Sequence, residues 1–411
     1  MTVAMSTKAP AANLRFRRAK NASELLGQVP TPSIIGSRLL EGLPAGCKRI
    51  VDLGAGDGRL AYLALARCPE ARALLIETDE ERVQVLEDER SDRTEVLSLD
   101  VMRAPELLDL RNTFGAIDAV VSNPPYLAVR LEQADIDRIQ SIFPFVDDAA
   151  GWVRSDVAFA AYAWSLTTRG GFVALILPAP AITQAQYRPL REKLVSQLNG
   201  LTVTQLPSRC FPGVEVDAFL VTGTRAVTRR RRARLRLLNT AGDVVGSLRV
   251  SYEAALSRLD FNFHEADARL GLRAAASTDT LESLGVEIIR GSLCRTEFAK
   301  AGLNSFHTTD FSEDGALVTL SGASAKHRVA QTGDILIPRV GSRCLTKEAR
   351  VMAGAGVFSD CVYRLRASPE VAARVWNTLN SEFGRQWRAM HAEGSCAKHL
   401  PLWVLKGMPV Q

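Results

Sequence analysis

The sequence lacks the features of a disulfide-stabilised, zinc-binding or membrane-spanning protein. Its seven cysteines are scattered and odd in number, and no two of them form a Cys-x-x-Cys pair, so a disulfide framework or a zinc site is not expected. No apolar run approaches the roughly eighteen residues that cross a bilayer, and no hydrophobic signal region follows the start. We therefore expect a cytoplasmic chain with no membrane partner and no bound metal.

The composition allows two buried cores and favours an acidic partner. With 411 residues, 46% of them hydrophobic, the chain is longer than one ordinary domain. Its net charge of +6 fits a polyanion, although many basic proteins bind none. Residues 1–24 form a basic arm that either contacts phosphates or is a solvated tail. The charges of this arm are Lys8, Arg15, Arg17, Arg18 and Lys20.

The most informative segment is Asn-Pro-Pro-Tyr at residues 123–126, directly after the strand-like run 117–122. The carboxyl end of a strand is where open α/β sheets place their chemistry. An amino group on a planar ring or amide is a poor nucleophile, because its lone pair is delocalised. The Asn123 oxygen and the Pro124 carbonyl could each accept one of its hydrogens, while Tyr126 stacks on the target group. A simple Pro-Pro turn, including Pro125, is the alternative.

A second pattern, upstream, predicts a nucleotide-like ligand. The strand-like run 48–53 leads into Gly54-Ala55-Gly56-Asp57-Gly58 and a helix start. The glycines permit close approach of a ligand, and Glu77, at the end of the next strand, has the offset of a ribose-binding carboxylate. The spacing differs from G-x-G-x-x-G, and Asp52 precedes the loop, which favours a cationic adenosine ligand without a pyrophosphate.

A third strand, 95–99, delivers Asp100 at its end. This position suits a carboxylate that accepts from an exocyclic amine such as an adenine N6. The alternative for Glu77, Asp79 and Asp100 is that they cap helices or lie in solvated loops.

Together these segments resemble the S-adenosylmethionine-dependent class I methyltransferases, and Asn-Pro-Pro-Tyr resembles the motif of those that methylate amino groups. Residues 27–32, Gly-Gln-Val-Pro-Thr-Pro, are similar to a segment of adenine-N6 DNA methyltransferases, in which Thr31 would contact the methionine part of the cofactor. Read without the family, Thr31 is a helix N-cap. The loop Asp52–Gly56 is the generic form rather than the Pro-Ala-Cys-Gly version common in such enzymes.

The resemblance implies an α/β fold with a Rossmann-like, mostly parallel seven-stranded methyltransferase sheet over residues 25–225. It also implies that S-adenosyl-L-methionine is held by a set of residues drawn from these motifs. These are Thr31, Asp52, Gly54, Gly56, Glu77, Asp100 and Asn123. Within the turn 209–213, Phe211 is expected to pack against the target adenine, and its alternative role is a hydrophobic plug between strands.

Two further regions are predicted after the catalytic sheet. Residues 226–280 are expected to be a linker and connecting segment, whose arginine run either contacts DNA phosphates or is solvated. Its members are Arg229, Arg230, Arg231 and Arg232. Residues 281–411 resemble the α+β target-recognition domains of type I specificity subunits, in which Arg339, Arg343 and Lys398 would reach phosphates or base edges.

The sequence as a whole predicts a DNA adenine-N6 methyltransferase that extrudes its target base from duplex DNA. No nuclease segment is recognised, so a separately encoded restriction endonuclease is a candidate partner. Two alternatives stay open. One is an amino methyltransferase acting on RNA or on a protein glutamine, and the other is a non-catalytic DNA-specificity subunit.

Overall fold

The computed structural model describes residues 29–146, 149–214, 216–226, 232–271, 279–312, 316–341, 343–394 and 398–411. The chain divides into two compact units, Met1–Phe261 and Asn262–Gln411. The predicted basic arm, residues 1–24, lies outside the described residues. None of the helices in the described part combines the length and the apolar composition that a bilayer crossing needs.

The first unit is built on a nine-stranded sheet with a short two-stranded ladder beside it. Its strands are β1 (Arg49–Leu53), β2 (Arg72–Glu77), β3 (Thr94–Ser98), β4 (Ile117–Ser122), β5 (Ala128–Arg130), β6 (Trp152–Arg154), β7 (Thr167–Pro178), β8 (Leu198–Gln205), β9 (Ala218–Arg225), β10 (Ala233–Leu238) and β11 (Val244–Val250). Its α-helices are Ser33–Leu39, Arg59–Arg67, Glu80–Asp88, Leu110–Phe114, Gln133–Ile142, Ser155–Leu166, Ala179–Thr183, Arg188–Gln197 and Tyr252–Ser257. Short 3-10 turns cover Pro105–Asp109, Ala149–Gly151 and Ala185–Tyr187.

The strand order of the large sheet is β11-β10-β8-β9-β7-β4-β1-β2-β3. The five strands from β3 to β7 pair in parallel, and β9 runs antiparallel between β7 and β8. Parallel strands need helical crossovers, which cover both faces and explain the continuous apolar runs of β1, β2 and β4. The predicted fold class is confirmed.

The large sheet extends beyond the seven strands expected from the sequence. Residues 233–250, within the predicted linker, form β10 parallel to β8 and β11 antiparallel to β10. In β10 the arginines alternate with Ala233 and Leu235, which are buried, so the density of charge conceals a strand. The expected boundary near residue 225 is thus replaced by one between Phe261 and Asn262.

Parallel pairing sets the position of the candidate site. Asp52 of β1 lies level with Leu75 of β2 and with Val121 of β4. The carboxyl ends of neighbouring parallel strands therefore meet at one edge of the sheet, and the residues that follow β1, β2, β3 and β4 come together there.

The second unit contains a six-stranded sheet, with the order β12-β17-β15-β16-β13 and with β14 paired to β16. Its strands are β12 (Glu287–Arg290), β13 (Ala316–Leu320), β14 (Val329–Gln331), β15 (Ile335–Pro338), β16 (Ala349–Val357) and β17 (Val362–Arg366). Its α-helices are Phe261–Leu270, Arg295–Lys300, Pro369–Asn380, Glu382–His391 and Leu402–Lys406, and a 3-10 turn covers Thr308–Asp310. The second unit is α+β, as the sequence predicts, and Pro369–Asn380 and Glu382–His391 are two successive helices. They part at Ser381, whose side chain caps the second one by accepting from the Gly384 amide.

A buried ion pair stabilises the second unit. Arg388 and Glu348 are both fully buried and bonded to each other. The guanidinium also donates to the carbonyls of Leu345 at 3.1 Å, Thr346 at 2.6 Å and Leu379 at 2.9 Å. Every branch of this arginine is therefore used. Its removal leaves three carbonyls and one Glu348 oxygen without their donor, whereas Arg385 still reaches the other Glu348 oxygen at 3.0 Å.

We predict that Arg388→Met destabilises the second unit by about 3 kcal/mol, because Glu348 keeps only the partly exposed Arg385 as counter-charge and three carbonyls lose their buried donor. Urea unfolding followed by tryptophan fluorescence measures the loss. Arg374→Met is the matched control, since its ion pair with Asp279 is exposed and is worth about 1 kcal/mol or less. Equal effects of the two substitutions would contradict the assignment.

Candidate active site at the carboxyl edge of the sheet

A cavity opens at the edge where β1, β2, β3 and β4 end. It is lined by the segment 29–31, the Gly-rich loop, the residues after β2 and β3, and the start of the Asn-Pro-Pro-Tyr segment. Predicted site residues that line it are Thr31, Gly54, Gly56, Glu77, Asp100, Asn123 and Pro125. Asp52, Pro124, Tyr126 and Phe211 are not among its lining residues. The structure thus brings together most of the predicted cofactor residues.

The Gly-rich loop lies against the end of β2. The amides of Gly54 and Ala55 both donate to the Ile76 carbonyl at 2.9 Å. Gly54 and Gly56 adopt left-handed backbone conformations, with φ of 72° and 61°. A Cβ atom at Gly54 would lie 3.1 Å from the Phe159 ring, so both the conformation and the space favour glycine there.

Glu77 fixes this loop from the neighbouring strand. Its side chain is 3% exposed, and its oxygens accept from the amides of Gly56 at 2.7 Å, Thr78 at 2.8 Å and Asp79 at 3.0 Å. These bonds hold the carboxylate at the cavity wall. It is a fixed acceptor in the position expected for ribose hydroxyls.

Asp52 lies beneath the loop rather than in the cavity wall. It is 1% exposed, and one carboxyl oxygen accepts from the Ala61 amide at 3.0 Å, which ties β1 to the first turn of the helix Arg59–Arg67. The other oxygen is buried without a hydrogen-bond partner. Burial, reinforced by the charges of Glu77 and Asp57, raises the pKa of Asp52 to about 8. In this structure Asp52 supports the loop, whereas the sequence predicted a direct ligand contact.

Three arginines line the cavity beside its carboxylates, and the sequence analysis did not identify them. Arg59 pairs with Asp57 at 2.9 Å, and Arg103 pairs with Asp100 at 2.6 Å. Arg82 lies 4.0 Å from the Asp79 carboxylate. Each arginine follows its acid by two or three residues, so the spacing itself was the available signal. Asp57, Asp79 and Asp100 therefore each have a basic neighbour in the fold.

The Asp100 carboxylate has two hydrogen-bond partners. It accepts from the Met102 amide at 2.9 Å as well as from Arg103. The same guanidinium donates to the Arg130 carbonyl at 3.2 Å, at the end of β5. Arg103 therefore connects the acid expected to bind an adenine amine with the strand that follows the Asn-Pro-Pro-Tyr segment.

The Asn123 amide has a fixed orientation. Its nitrogen donates to the Val29 carbonyl and to the Thr31 hydroxyl, both at 3.0 Å. A carbonyl oxygen only accepts, so the amide nitrogen must face Val29. Within the described part of the chain, the Asn123 Oδ1 atom accepts no hydrogen bond. It is the available acceptor at this point of the cavity wall.

Ser155 anchors the chain around Tyr126, although it lies about thirty residues further along. Its hydroxyl donates to the Pro125 carbonyl and accepts from the Leu127 amide at 3.1 Å. Its own amide donates to the Leu127 carbonyl at 2.9 Å. The Tyr126 hydroxyl donates to the Ile176 carbonyl on β7 at 3.3 Å, so both the backbone and the ring are held.

Buried polar groups surround Tyr126. Burial, and then the carboxylate of Asp156, raises the pKa of Tyr126 well above its usual value. Asp156 is fully buried, and it accepts from Arg154 at 2.9 Å. The phenol therefore stays protonated and remains a hydrogen-bond donor.

Phe211 is a core residue in this structure. Its ring is only 2% exposed, in a turn where its carbonyl accepts from the Val214 amide at 3.3 Å. This burial matches the alternative of a hydrophobic plug. Stacking on a target base remains a prediction, and it would need the turn to open.

The residues predicted to contact DNA fall into two groups. Arg229, Arg230 and Arg231 lie outside the described residues, whereas Arg232 precedes β10 and is exposed. In the second unit Arg343 is exposed, and the segments of Arg339 and Lys398 are adjacent, because Val340 and His399 form a bridge between them. The structure thus brings Arg339 and Lys398 together on one side of β15.

Arg339 also belongs to a cluster of arginines around Asp360, which we call the Asp360 cluster. The Arg290 and Arg339 guanidiniums both donate to the Asp360 carbonyl, at 3.0 and 2.8 Å. Arg290 reaches the Asp360 carboxylate at 2.9 Å, and Arg328 donates to the Arg290 carbonyl. Only the Arg290 guanidinium contacts the Asp360 carboxylate, and the other two donate to backbone carbonyls. The cluster therefore gathers three arginines around one carboxylate.

We predict that Asp52 lowers the stability of the first unit as the pH rises. Its folded pKa of about 8 exceeds its ordinary value of 3.8, so its contribution is complete below about pH 4 and is lost by pH 8. Thermal unfolding midpoints of the wild type should fall relative to those of Asp52→Asn between pH 5 and pH 8. A constant difference between the two proteins over that range would contradict the prediction.

Comparison with known proteins finds a family match within the first unit. Residues 35–145 match the family Methyltransferase small domain, and this range contains the Gly-rich loop, Glu77, Asp100 and Asn123. The release factor glutamine methyltransferase of Mycolicibacterium smegmatis is 35% identical over 120 residues, which cover 26% of this chain and 42% of that protein. The chain therefore spans less than half the length of this relative.

Solved structures give more distant likenesses. The type IIG restriction endonuclease BpuSI aligns with 93% of this chain and 58% of its own, at 13% identity and a TM-score of 0.49. A putative class I S-adenosylmethionine-dependent methyltransferase from Listeria monocytogenes aligns with 52% of this chain and 67% of its own, at 16% identity and a TM-score of 0.42. Both TM-scores are below 0.5, so the description of the fold rests on the strand order of the sheet. The order of the sheet shows a Rossmann-like α/β fold, and the match to a methyltransferase family lies within it. A class I methyltransferase fold implies S-adenosylmethionine as the methyl donor.

Proposed function

We propose that this protein transfers a methyl group from S-adenosylmethionine to N6 of adenine in duplex DNA. The observation that carries the proposal is the orientation of Asn123, whose amide hydrogens are both bound and whose Oδ1 atom is left as an acceptor at the cavity wall. An acceptor fixed in this way suits an incoming planar amino group rather than a hydroxyl or a carbon atom.

The donor set of the cavity fits S-adenosylmethionine. Glu77 is a fixed acceptor for ribose hydroxyls, and Gly54 and Gly56 allow the ligand close to the backbone. Asp100 is placed to accept from the adenine amine once it exchanges its bond with Arg103. When bound, this cofactor supplies an electrophilic methyl group on sulfur.

The residues of the Asn-Pro-Pro-Tyr segment orient the target amine. Asn123 Oδ1 and the Pro124 carbonyl each accept one hydrogen of the amine, which draws the nitrogen out of conjugation and frees its lone pair. The Pro125 carbonyl is already bonded to Ser155, so it does not compete. The lone pair forms the new N–C bond while the C–S bond breaks, sulfur keeps the bonding electrons, and the surplus proton on nitrogen passes to water.

The choice of DNA rests on the second unit. A small planar substrate needs no second domain with its own sheet, whereas duplex DNA needs a surface that contacts phosphates. The Asp360 cluster, with three arginines around one carboxylate, supplies such a charge, and the whole chain carries +6. Extrusion of the adenine costs a few kcal/mol, which phosphate contacts of this kind offset.

A second candidate function is methylation of a glutamine amide in a peptide-chain release factor. The observation in its favour is the 35% identity over 120 residues to a release factor glutamine methyltransferase. The amide nitrogen of glutamine poses the same problem of a delocalised lone pair, so the Asn123 geometry serves it equally. The Asp360 cluster has no evident role in that reaction, which is why we rank it second.

We predict that Asn123→Ala lowers the single-turnover rate of methyl transfer to DNA by at least about a hundredfold, because the acceptor for the amine is lost. The affinity for S-adenosylhomocysteine, measured by calorimetry, should change little. Asn112→Ala, at an exposed helical position, is the control and should leave both quantities intact. A wild-type protein that binds no cofactor would instead favour a non-catalytic DNA-binding subunit.

We predict that Arg339→Gln and Arg290→Gln each lower the slope of log affinity for duplex DNA against log salt concentration by about 1, the loss expected for one phosphate contact. Fluorescence anisotropy at several salt concentrations measures the slope. Arg374→Gln is the matched control for Arg290→Gln, because the two side chains are similarly exposed and Arg374 pairs with Asp279 outside the cluster. Slopes equal to that of the control would remove the Asp360 cluster from the DNA-binding surface.

A further inference from the structure

Thr31 lies in the short segment Val29-Pro30-Thr31-Pro32, directly before the helix Ser33–Leu39. A threonine at this place ordinarily caps the helix, and the sequence favours that role. In the structure the N-cap position is Pro32, and no side chain caps the helix. Thr31 is 5% exposed, so its hydroxyl is buried although it does not cap the helix.

The buried Thr31 hydroxyl bonds to the catalytic amide instead. The Thr31 Oγ1 atom accepts one hydrogen of the Asn123 amide at 3.0 Å, and the Val29 carbonyl accepts the other, also at 3.0 Å. The two contacts have different effects. Val29 decides which end of the amide faces the segment, because two oxygens at that distance would repel each other, whereas Thr31 fixes the rotation of the amide plane.

Rotation of the Asn123 amide about its terminal torsion decides where the Oδ1 atom points. The terminal torsion of asparagine is broad and has no sharp staggered minimum, so a single hydrogen bond leaves the Oδ1 atom free to swing. Two acceptors at fixed positions remove that freedom. The Oδ1 atom is then aimed before the target amine arrives, and the chemical step includes no reorganisation of this group.

The backbone of Thr31 is itself held from the cavity side. Arg59 donates to the Thr31 carbonyl at 2.9 Å, and its other terminal nitrogen pairs with Asp57 at 2.9 Å. Arg59 and Asp57 both line the cavity. The chain of contacts therefore runs from the Gly-rich loop through Arg59 and Thr31 to Asn123.

We infer that Thr31 is a positioning residue for Asn123, an inference that rests on the proposed amino-group methylation. It sets the direction of the Asn123 oxygen, and its effect is on the transfer step more than on cofactor affinity. The Thr31 hydroxyl has one donor and two acceptor sites, so accepting from Asn123 leaves its hydrogen for the methionine part of the cofactor.

Thr31→Val and Thr31→Ser test this role. Valine keeps the shape of threonine and removes the acceptor, whereas serine keeps the oxygen. We expect Thr31→Val to lower the single-turnover transfer rate by about tenfold or more, with the dissociation constant of S-adenosylhomocysteine changed by about threefold or less. Thr31→Ser should retain most of the wild-type rate.

Two results would overturn the inference. One is a wild-type rate in Thr31→Val, and the other is a loss confined to cofactor affinity, which would make Thr31 a cofactor ligand only. Thermal unfolding of each variant shows whether a lower rate reflects loss of folding. If the wild type transfers no methyl group to any amine, the proposed function fails, and a second readout then tests Thr31 alone.

That readout is the exchange of the Asn123 side-chain amide hydrogens with solvent, measured by NMR on protein labelled with 15N in asparagine, with Asn123→Asp used for assignment. Both hydrogens should exchange slowly in the wild type and in Thr31→Ser. One of them should exchange faster in Thr31→Val. Unchanged exchange in Thr31→Val would show that Thr31 does not hold the amide, whatever reaction the protein catalyses.

Discussion

The hydrogen bonds of the Asn123 amide are the interaction on which the rest of the site depends. In the proposed reaction an acceptor holds the hydrogens of a planar amine so that the nitrogen lone pair leaves conjugation. The direction of one side-chain oxygen therefore controls the reaction. Val29 and Thr31 set that direction from a segment more than ninety residues earlier in the chain. Parallel pairing of β1 with β4 brings the end of β4 to the edge of the sheet where the Gly-rich loop also lies.

Charged residues of the cavity form ion pairs with residues that are close to them in sequence. Asp57 and Asp100 line the cavity and pair with arginines close to them in sequence, so the site holds internal ion pairs before any ligand enters. A bound cofactor would exchange some of these pairs for its own groups, and Asp100 and Arg103 are the pair most directly affected. Since Arg103 also bonds the Arg130 carbonyl, that exchange reaches the strand that follows the catalytic segment.

The sequence could predict what is local. Strand β4 and Asn-Pro-Pro-Tyr are contiguous, as are β1 and the Gly-rich loop. It could not predict which way a side chain faces. Asp52, expected to contact the cofactor, bonds the first turn of the next helix, and Phe211, for which a base contact and a hydrophobic plug were both open, is buried. Ser155 was missed because its partners, Pro125 and Leu127, are close only in the fold.

The central claim is that the amine presented to Asn123 is the N6 group of an adenine in DNA. The most direct test is to incubate the purified protein with S-adenosylmethionine carrying a labelled methyl group and with duplex DNA, RNA and a peptide-chain release factor in separate reactions. Mass analysis of the nucleosides and peptides then identifies the methylated atom. We expect N6-methyladenine in DNA with the wild type and none with Asn123→Ala. A labelled glutamine or RNA base with unmodified DNA would contradict it.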